Sequence, residues 1–389
     1  MVSGVALRWR IPALGIAQII AWGSLYYAIA VLAAPLQADL GFSRTFLFGG
    51  FTLALLVSGA VAPLAGRLID RDGGRRVLVL ATVAGAASFA LLACSHGPVL
   101  YLLAWTLGGV AMGCGLYDAV LAVLNHLAPG AAYRRAVTAL TLFGGFASTV
   151  FWPLTHWLVE AVGWRDTCWY YAAAQLLLCL PLYLFAAPAH GGVVGRQPGS
   201  AISRAAPDPT RFRWLAMAFA LVSFAFSVLS VHLIGLLGES GIAERDAILV
   251  GTVFGPMQVL ARIVEFSVAP HVRAVAVGRV AFLLMACALA ALCVVDGRRE
   301  VAFLFAALYG ASNGTLTIVR GTVPAELFGR EQYGALLGKL ALPSFLAKAI
   351  APMAFAAVLS AGSHVAAMAL LLVAGAGALV CYEFARRGA

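Results

Sequence analysis

Charge is scarce in this chain. Only 11% of its 389 residues are Asp, Glu, Lys or Arg, against about 25% in ordinary soluble domains. A water-exposed globule of this length would need far more polar surface, so most of the chain must face lipid or other buried helices. Clustered catalytic groups are missing too. The seven histidines, at 96, 126, 156, 190, 232, 271 and 364, stand singly, which argues against a membrane-embedded enzyme. No Gly-x-x-x-x-Gly-Lys loop is present to cradle a nucleotide phosphate, which excludes ATP-driven pumping, and neither a filter loop nor a pore ring marks a channel. The seven cysteines include no Cys-x-x-Cys pair. They read as small apolar packing residues rather than a disulfide framework or zinc site, with a soft-ligand path for a metalloid as the minor alternative. No metal and no cofactor is expected.

What the chain has in abundance is apolar sequence. It is 62% hydrophobic, with a mean hydropathy of +0.95. A spanning helix needs about 20 apolar residues. Runs of that kind fall near 11–36, 45–69, 77–94, 98–123, 136–159 and 167–187, and then near 213–238, 247–269, 278–295, 301–322, 333–359 and 363–384. Charged, Gly or Pro clusters separate them, as expected where backbone leaves the membrane. The first run is too long for a signal-peptide core and lacks a small-residue cleavage site, so it reads as a retained helix. One long non-apolar stretch, rich in Gly, Pro, Ser and Arg, interrupts the pattern. The expected layout is therefore an all-α membrane protein of twelve transmembrane helices, with a six-helix half over 1–187, a cytoplasmic linker over 188–212 and a second six-helix half over 213–389.

Basic residues give the orientation. With the N-terminus cytoplasmic, seventeen arginines fall on inner loops and ends, Arg196 and Arg204 of the linker among them. Only Arg44, Arg165, Arg245, Arg298 and Arg299 fall outside. By the positive-inside rule both termini are cytoplasmic and the protein sits in the inner (cytoplasmic) membrane. The net charge of +10 then reads as a topology signal and a contact with anionic lipid, not as a nucleic-acid surface.

The densest knot of charge lies between the second and third runs, at Gly66-Arg-Leu-Ile-Asp70-Arg71-Asp-Gly73-Gly74-Arg75-Arg76. Its pattern, Gly-x-x-x-Asp-Arg-x-Gly-x-Arg-Arg, resembles motif A of the major facilitator superfamily. It departs from that motif at Ile69, Asp72 and Gly74, where the family has a small residue, an aromatic and a base. The resemblance implies the major facilitator fold and a secondary active transporter that works by alternating access, with two halves rocking about a midplane site. It also implies that Gly66, Asp70, Arg71, Gly73, Arg75 and Arg76 form a latch for the outward-facing state, and that the protein works as a monomer on a small solute.

Ionisable residues inside apolar runs are functional candidates by default. Arg262 sits about 24 Å from the outer end of its run and about 12 Å from the inner end, at about 1.5 Å per residue. Glu265, one turn on, can pair with it. Two readings stand for this couple: a solute site, or a decayed second copy of the turn signature, since Arg67-x-x-Asp70 lies 195 positions earlier. Lys348 lies mid-run, whereas Lys339, near a run end, is explained by snorkelling. Buried Arg in the eighth span and buried Lys in the eleventh resemble the oxalate/formate antiporter and monocarboxylate transporter branch, where such groups hold a small carboxylate. The segment Arg320 to Arg330, with its Leu-Phe-Gly turn, is also similar to those relatives. Asp118 reads either as a proton carrier or as a permanent ion-pair partner, and His232 either as a packing residue or as a titrating one.

Polar and aromatic stripes complete the candidate set. Gln18, Trp22 and Tyr26 repeat at i, i+4, i+8, as do Tyr309, Asn313 and Thr317; Thr149, Trp152 and His156 form a third stripe. Each can line a solute path or make interhelical hydrogen bonds. The expected function is transport of a mono- or dicarboxylate, by symport with a proton or by exchange. Arg262 and Lys348 would bind the solute, and Asp118, Glu265 or His232 would carry the proton. The alternative is a proton-driven exporter of hydrophobic drugs or metalloids, although the fifth span lacks the Gly-x-x-x-Gly-Pro pattern of family drug antiporters.

Overall fold

A computed structural model of the chain describes residues 4–130, 132–189, 208–268, 271–361 and 364–387. Most of the expected linker, including Arg196 and Arg204, lies outside the described residues, as do the expected span ends at 269 and 363. Among the described residues the regular elements are all helical. Among the described residues eleven helical stretches are long and apolar enough to cross a membrane. The fifth of these, Ala132–Ala186, is 55 residues long and covers both the fifth and sixth expected runs.

The chain divides into two compact units. The first contains residues 1–196 and 330–342, and the second residues 197–329 and 343–389.

In the first unit the helices are α1 Gly4–Trp22, α2 Ile29–Leu40, α3 Arg44–Asp72, α4 Arg75–Ala93, α5 Pro98–Gly115, α6 Tyr117–Leu127, α7 Ala132–Gly144, α8 Ala147–Ala174 and α9 Leu180–Ala186. Their ends follow from local chemistry. Ser43 caps α3 by accepting a hydrogen bond from the Phe46 N–H at 3.1 Å, and Pro98 opens α5 where a missing N–H costs nothing. Gly163, at φ 84° and ψ 166°, interrupts α8 with non-helical backbone. Single π-turns join α1 to α2 at Gly23–Tyr27 and α8 to α9 at Gln175–Cys179. Leu116, extended at φ −83° and ψ −172°, separates α5 from α6.

In the second unit come α10 Pro209–Glu239, α11 Glu244–Val268, α12 Ala274–Cys293 and α13 Arg299–Phe328. The greater part of α14 Tyr333–Ser360 and α15 His364–Arg386 complete it. Here α12 and α11 both pack on α13, and α10 packs on α15.

Lipid gives no hydrophobic drive for one helix to leave it for another, so small residues and interhelical hydrogen bonds decide the packing. In the first unit a Cβ on Gly109 would stand 2.5 Å from the Ala54 carbonyl oxygen, and one on Gly113 2.8 Å from that of Ser58. The second unit repeats the contact. A Cβ on Gly310 would meet the Phe254 carbonyl at 2.8 Å, and one on Gly314 that of Gln258 at 2.5 Å. The receiving residues 254 and 258 lie 200 positions after 54 and 58, and the glycines 201 positions after their counterparts. Two internally similar units are thus built around the same glycine-spaced helix crossing.

Ser88 and Ser312 make the same kind of bridge, donating at 2.7 Å to the carbonyls of Ala104 and Ala281 on neighbouring helices. The α11–α13 crossing leaves no room for a side chain at Gly314, so Gly314→Val should lower the thermal unfolding temperature of purified protein. Its cost should be about 1–3 kcal/mol, typical of an overpacked site. Val at Gly235, where a Cβ meets nothing within 4 Å, serves as the control and should change it little.

Candidate functional site

The charged turn of the first unit is built by two glycines. Gly73 and Gly74 both take φ 90°, a left-handed conformation that only glycine adopts readily. They end α3 and start α4, which accounts for glycine rather than a base at position 74. Arg71 donates to Asp72 through Nε at 2.8 Å and Nη2 at 3.0 Å, and Arg76 approaches the same carboxylate at 3.8 Å. Both guanidinium groups are largely exposed, so these pairs add little stability. Arg75 instead donates from Nε to the Ala187 carbonyl at 3.1 Å, just beyond the C-terminus of α9.

Asp70 does something different. Its two carboxylate oxygens accept the backbone N–H groups of Gly334 and Ala335, each at 2.8 Å. Those amides belong to the first turn of α14, where helix donors have no internal partner and the dipole favours an anion. Close approach makes the bonds possible: a Cβ on Gly66 would overlap the Gly334 carbonyl, and one on Gly338 the carbonyl of Ala62.

Arg330, three residues before Tyr333 at the start of α14, supplies the opposite cap in the same unit. Its guanidinium donates to the carbonyls of Asn125 at 3.0 Å, Ala128 at 2.6 Å and Gly130 at 3.2 Å, and to the Asn125 side chain. The Asn125 amide returns a bond to the Arg330 carbonyl at 3.1 Å. The cation also lies 4.5 Å from the ring centroid of Tyr133, which meets Tyr333 edge-on. A cation on the C-terminal carbonyls of α6 is as favourable as an anion on the N-terminus of α14. In sequence Arg330 stands only among the loop bases; the carbonyls it binds belong to backbone and leave no pattern of residue types. Asp118, half-buried in the first turn of α6, is close enough to the Tyr333 hydroxyl to interact with it electrostatically.

Deeper in the first unit, Gln18 is fully buried. Its Nε2 donates to the Gly115 carbonyl at 2.7 Å and to the Tyr183 hydroxyl at 3.0 Å, while Oε1 has no partner. The Gly115 carbonyl lies at the α5–α6 break, so the glutamine supplies a bond there. Trp22 packs with Tyr26 and with Tyr117, both at 5.1 Å between centroids, and Tyr26 with Phe51 at 5.4 Å. Thr149, Trp152 and His156 are exposed on this unit, His156 lying 3.3 Å from Glu160. Lys339 is exposed as well.

Inside the second unit, Arg262 and Glu265 on α11 are buried, at 3% and 4% exposure. Arg262 Nε donates to the Gly314 carbonyl at 3.4 Å, while Nη1 has no hydrogen-bond partner. The glycine-spaced crossing fixes the register between units: residue 262 corresponds to 62, and the counterpart of Arg67 is Ser267. The couple therefore sits more than a turn deeper than the charged turn of the first unit. Lys348, half-buried, places Nζ 5.8 Å from the Phe226 ring and 5.5 Å from that of Phe345. Arg320 donates to Ser344 Oγ at 3.1 Å and lies 5.6 Å from the Phe219 ring. Tyr309 is buried against Phe254 and Phe305. Asn313 and Thr317, half-buried on α13, are joined by the Thr317 hydroxyl donating to the Asn313 carbonyl at 2.9 Å.

His232 and its neighbours serve a proline. Pro352 has no N–H, which leaves the Lys348 carbonyl one turn earlier without its helical partner; the Ser227 hydroxyl donates to it at 2.7 Å. His232 Nε2 lies 3.2 Å from the Pro352 carbonyl, and because a carbonyl only accepts, that nitrogen carries the proton. Its ring packs on Phe355 at 5.2 Å.

The sequence matches the family model of the Major Facilitator Superfamily over residues 14–297. The chain belongs to that superfamily. Its members are transporters rather than enzymes. An uncharacterised 38 kDa protein in the 23S RNA operon of Thermoproteus tenax is 30% identical over 171 residues, and the match spans 43% of either chain. Solved structures of similar fold include the human organic anion transporter MFSD10, with TM-score 0.76 and 18% identity over 98% of this chain and 99% of that one. The fucose transporter FucP of Escherichia coli aligns with TM-score 0.78 and 15% identity over 98% and 100%. A bacterial homologue of the iron transporter ferroportin aligns with TM-score 0.72 and 16% identity over 97% and 98%. At such identities the likeness speaks for the fold alone. Among the described residues no group of three His, Cys, Asp or Glu side chains could hold a metal ion.

Charge-assisted bonds of the Asp70 kind are worth about 1.5–3 kcal/mol. Asp70→Asn keeps one acceptor but turns an NH2 toward the second backbone N–H. Hydrogen exchange at the Gly334 and Ala335 amides should accelerate about tenfold or more in this variant, with amides in α12 unchanged. Unaltered exchange at both positions would show that the carboxylate does not hold the helix end.

Proposed function

We infer that the protein is a secondary active transporter of a small organic anion, a carboxylate, working by alternating access. One observation carries this reading. Within the second unit three cations, Arg262, Arg320 and Lys348, lie at least six residues inside their helices, deeper than any acidic residue of that unit among the described residues, while Glu265, three residues from the end of α11, is buried one turn from Arg262. An interior with surplus positive charge of this kind is stabilised by an entering anion, and a guanidinium can offer a carboxylate two parallel bonds. That one structural neighbour is an organic anion transporter agrees with the reading.

The layout that goes with it is twelve spans in two six-helix halves, over 1–187 and 213–389, joined by a cytoplasmic linker over 188–212. A straight helix of 55 residues would be about 80 Å long, far more than the hydrocarbon core of about 30 Å. Ala132–Ala186 is therefore two spans, turning at Gly163. The basic residues favour a place in the inner membrane with both termini cytoplasmic, and a monomer suffices. Asp70, Arg330 and the turn around Gly73 act as a latch that must open and close in each cycle. Asp70→Asn should slow transport about tenfold or more while leaving the protein inserted; normal flux would reduce the segment to a topology signal.

Proton coupling falls to Glu265, buried one turn from Arg262. Asp118 lies with Tyr333 at the capping cluster, and His232 is engaged with the Pro352 carbonyl. Glu265→Gln should abolish accumulation driven by a pH gradient in proteoliposomes while solute exchange persists, whereas Asp118→Asn should retain accumulation. The opposite pattern would move the proton to Asp118.

A second reading is export of hydrophobic solutes, favoured by the cluster of Trp22, Tyr26, Tyr117 and Phe51. A panel of small carboxylates separates the two. Wild-type protein should melt at a higher temperature in their presence, and Arg262→Lys should lose that rise, because an ammonium cannot supply the two-pronged contact. No carboxylate-dependent rise in wild type would favour the exporter.

A further inference from the structure

At one end of the second unit, α10 begins where α15 ends. Arg211 ties the two together, its Nε donating to the Ala385 carbonyl at 3.1 Å, and Trp214 stacks on Phe384 with centroids 5.1 Å apart and planes 29° from parallel. The two helices run in opposite directions here, so their residues correspond by depth. Arg211, Trp214 and Met217 follow one another along one face of α10, at intervals of three. Arg387, one residue past the end of α15, is followed in depth by Phe384 and Val380, at intervals of three and four. Two guanidinium groups thus stand at the rim, two aromatic rings about a turn further in, and two aliphatic side chains a turn beyond those. Both rings and both aliphatic side chains are exposed.

The acidic residues at this end serve other partners. Glu326 pairs with Arg273 at 2.7 Å, and Glu383 with Arg279 at 2.9 Å and with Arg386. Asp208 caps α10 by accepting the Thr210 N–H at 2.9 Å. Arg211 and Arg387 form no ion pair among the described residues. Arg387 lies over the Phe384 ring at 4.8 Å, and Arg211 Nη2 is shielded from solvent without a hydrogen-bond partner. Six arginines (211, 213, 273, 279, 386 and 387) against three acids (208, 326 and 383) leave this end positive by three. An aromatic belt or a snorkelling arginine is common on a single membrane helix. Here the same order is matched on two adjoining helices, and one guanidinium is held by a carbonyl with a donor to spare.

We propose that the seam between α10 and α15 binds an anionic phospholipid, whatever solute the protein carries. Arg211 and Arg387 receive the phosphate, to which a guanidinium can offer two parallel bonds. The glycerol lies against the Trp214–Phe384 stack, and the acyl chains run along Met217 and Val380. Only an amphipathic anion matches all three layers; a water-soluble phosphate would use the first and leave the other two idle.

Phosphatidylglycerol and phosphatidylcholine with identical acyl chains make the test, because both carry the phosphate and only the first has a net negative charge. Each is titrated into the purified full-length protein in detergent, and bound lipid is counted by native mass spectrometry alongside the melting temperature. Wild type should retain phosphatidylglycerol at concentrations well below those needed for phosphatidylcholine. Arg387→Gln should weaken phosphatidylglycerol about fivefold, the worth of one arginine beside an anionic lipid surface, and leave phosphatidylcholine unchanged. Arg387→Lys should keep most of the preference. Arg299→Gln, exposed at the opposite end of the unit, removes the same formal charge and should behave as wild type. Glycerol 3-phosphate should not raise the melting temperature at concentrations where phosphatidylglycerol does. Equal retention of the two lipids by wild type would overturn the proposal. An equal loss in Arg299→Gln would reduce the effect to net charge and overturn the site. A rise with glycerol 3-phosphate that matches the lipid would make the seam a soluble-anion site and overturn the choice of ligand.

Discussion

In hydrocarbon there is no water to satisfy a backbone N–H or carbonyl, so every break within a span needs a partner from the protein, and a helix end buried at the membrane surface needs one as well. The rest of this structure depends on that constraint. At the α5–α6 break, Gln18 donates to the Gly115 carbonyl. Where Pro352 withholds an N–H, Ser227 takes up the orphaned Lys348 carbonyl. Glu326 accepts the Val275 N–H at the start of α12 while pairing with Arg273 at 2.7 Å. Arg211 donates to the Ala385 carbonyl near the end of α15. Asp70 and Arg330 cap helix ends of opposite polarity, the first on the amides that open α14 and the second on the carbonyls that close α6.

These caps differ in what they imply. A glutamine at a break adds a neutral bond, whereas a carboxylate on an N-terminus and a guanidinium on a C-terminus add charge–dipole attraction as well. Charged caps are stronger, and they are also conditional, since charge can be screened, neutralised or drawn to another partner. A transporter needs interactions that hold firmly and can be exchanged. The Asp70 and Arg330 caps are of that charged kind, while the Ser88–Ala104 and Ser312–Ala281 bridges are buried and neutral.

The helical, membrane-spanning character of the chain was legible in its apolar runs, and ten of the eleven long helical stretches correspond one to one with expected runs. The exception, Ala132–Ala186, is interrupted by non-helical backbone at Gly163, a residue that looks ordinary in sequence beside Trp164 and Arg165. Site residues were legible only as types. Gln18, Ser227 and His232 are polar groups in apolar runs and Asn125 lies just past the end of one, and sequence cannot say whether such a group faces a solute or a stranded carbonyl. Its answer depends on a neighbouring helix: on Pro352 for His232, on the break at Leu116 for Gln18. The role of Arg330 is hidden in sequence for the same reason.

Register decides how the buried cations are understood. In sequence, Arg262-x-x-Glu265 aligns with Arg67-x-x-Asp70 at an offset of 195, which invites the idea of a worn second turn signature. In three dimensions the glycine-spaced crossings set the offset at 200, and five residues on a helix are about 7.5 Å of depth. That difference moves Arg262 from a helix end, where an arginine can snorkel to water, to a buried position beside Gly314 with one guanidinium nitrogen lacking a partner. A charge placed so is costly unless something offsets it. On the organic-anion reading proposed above, the cost of a guanidinium held in such a place is offset when an anion binds beside it.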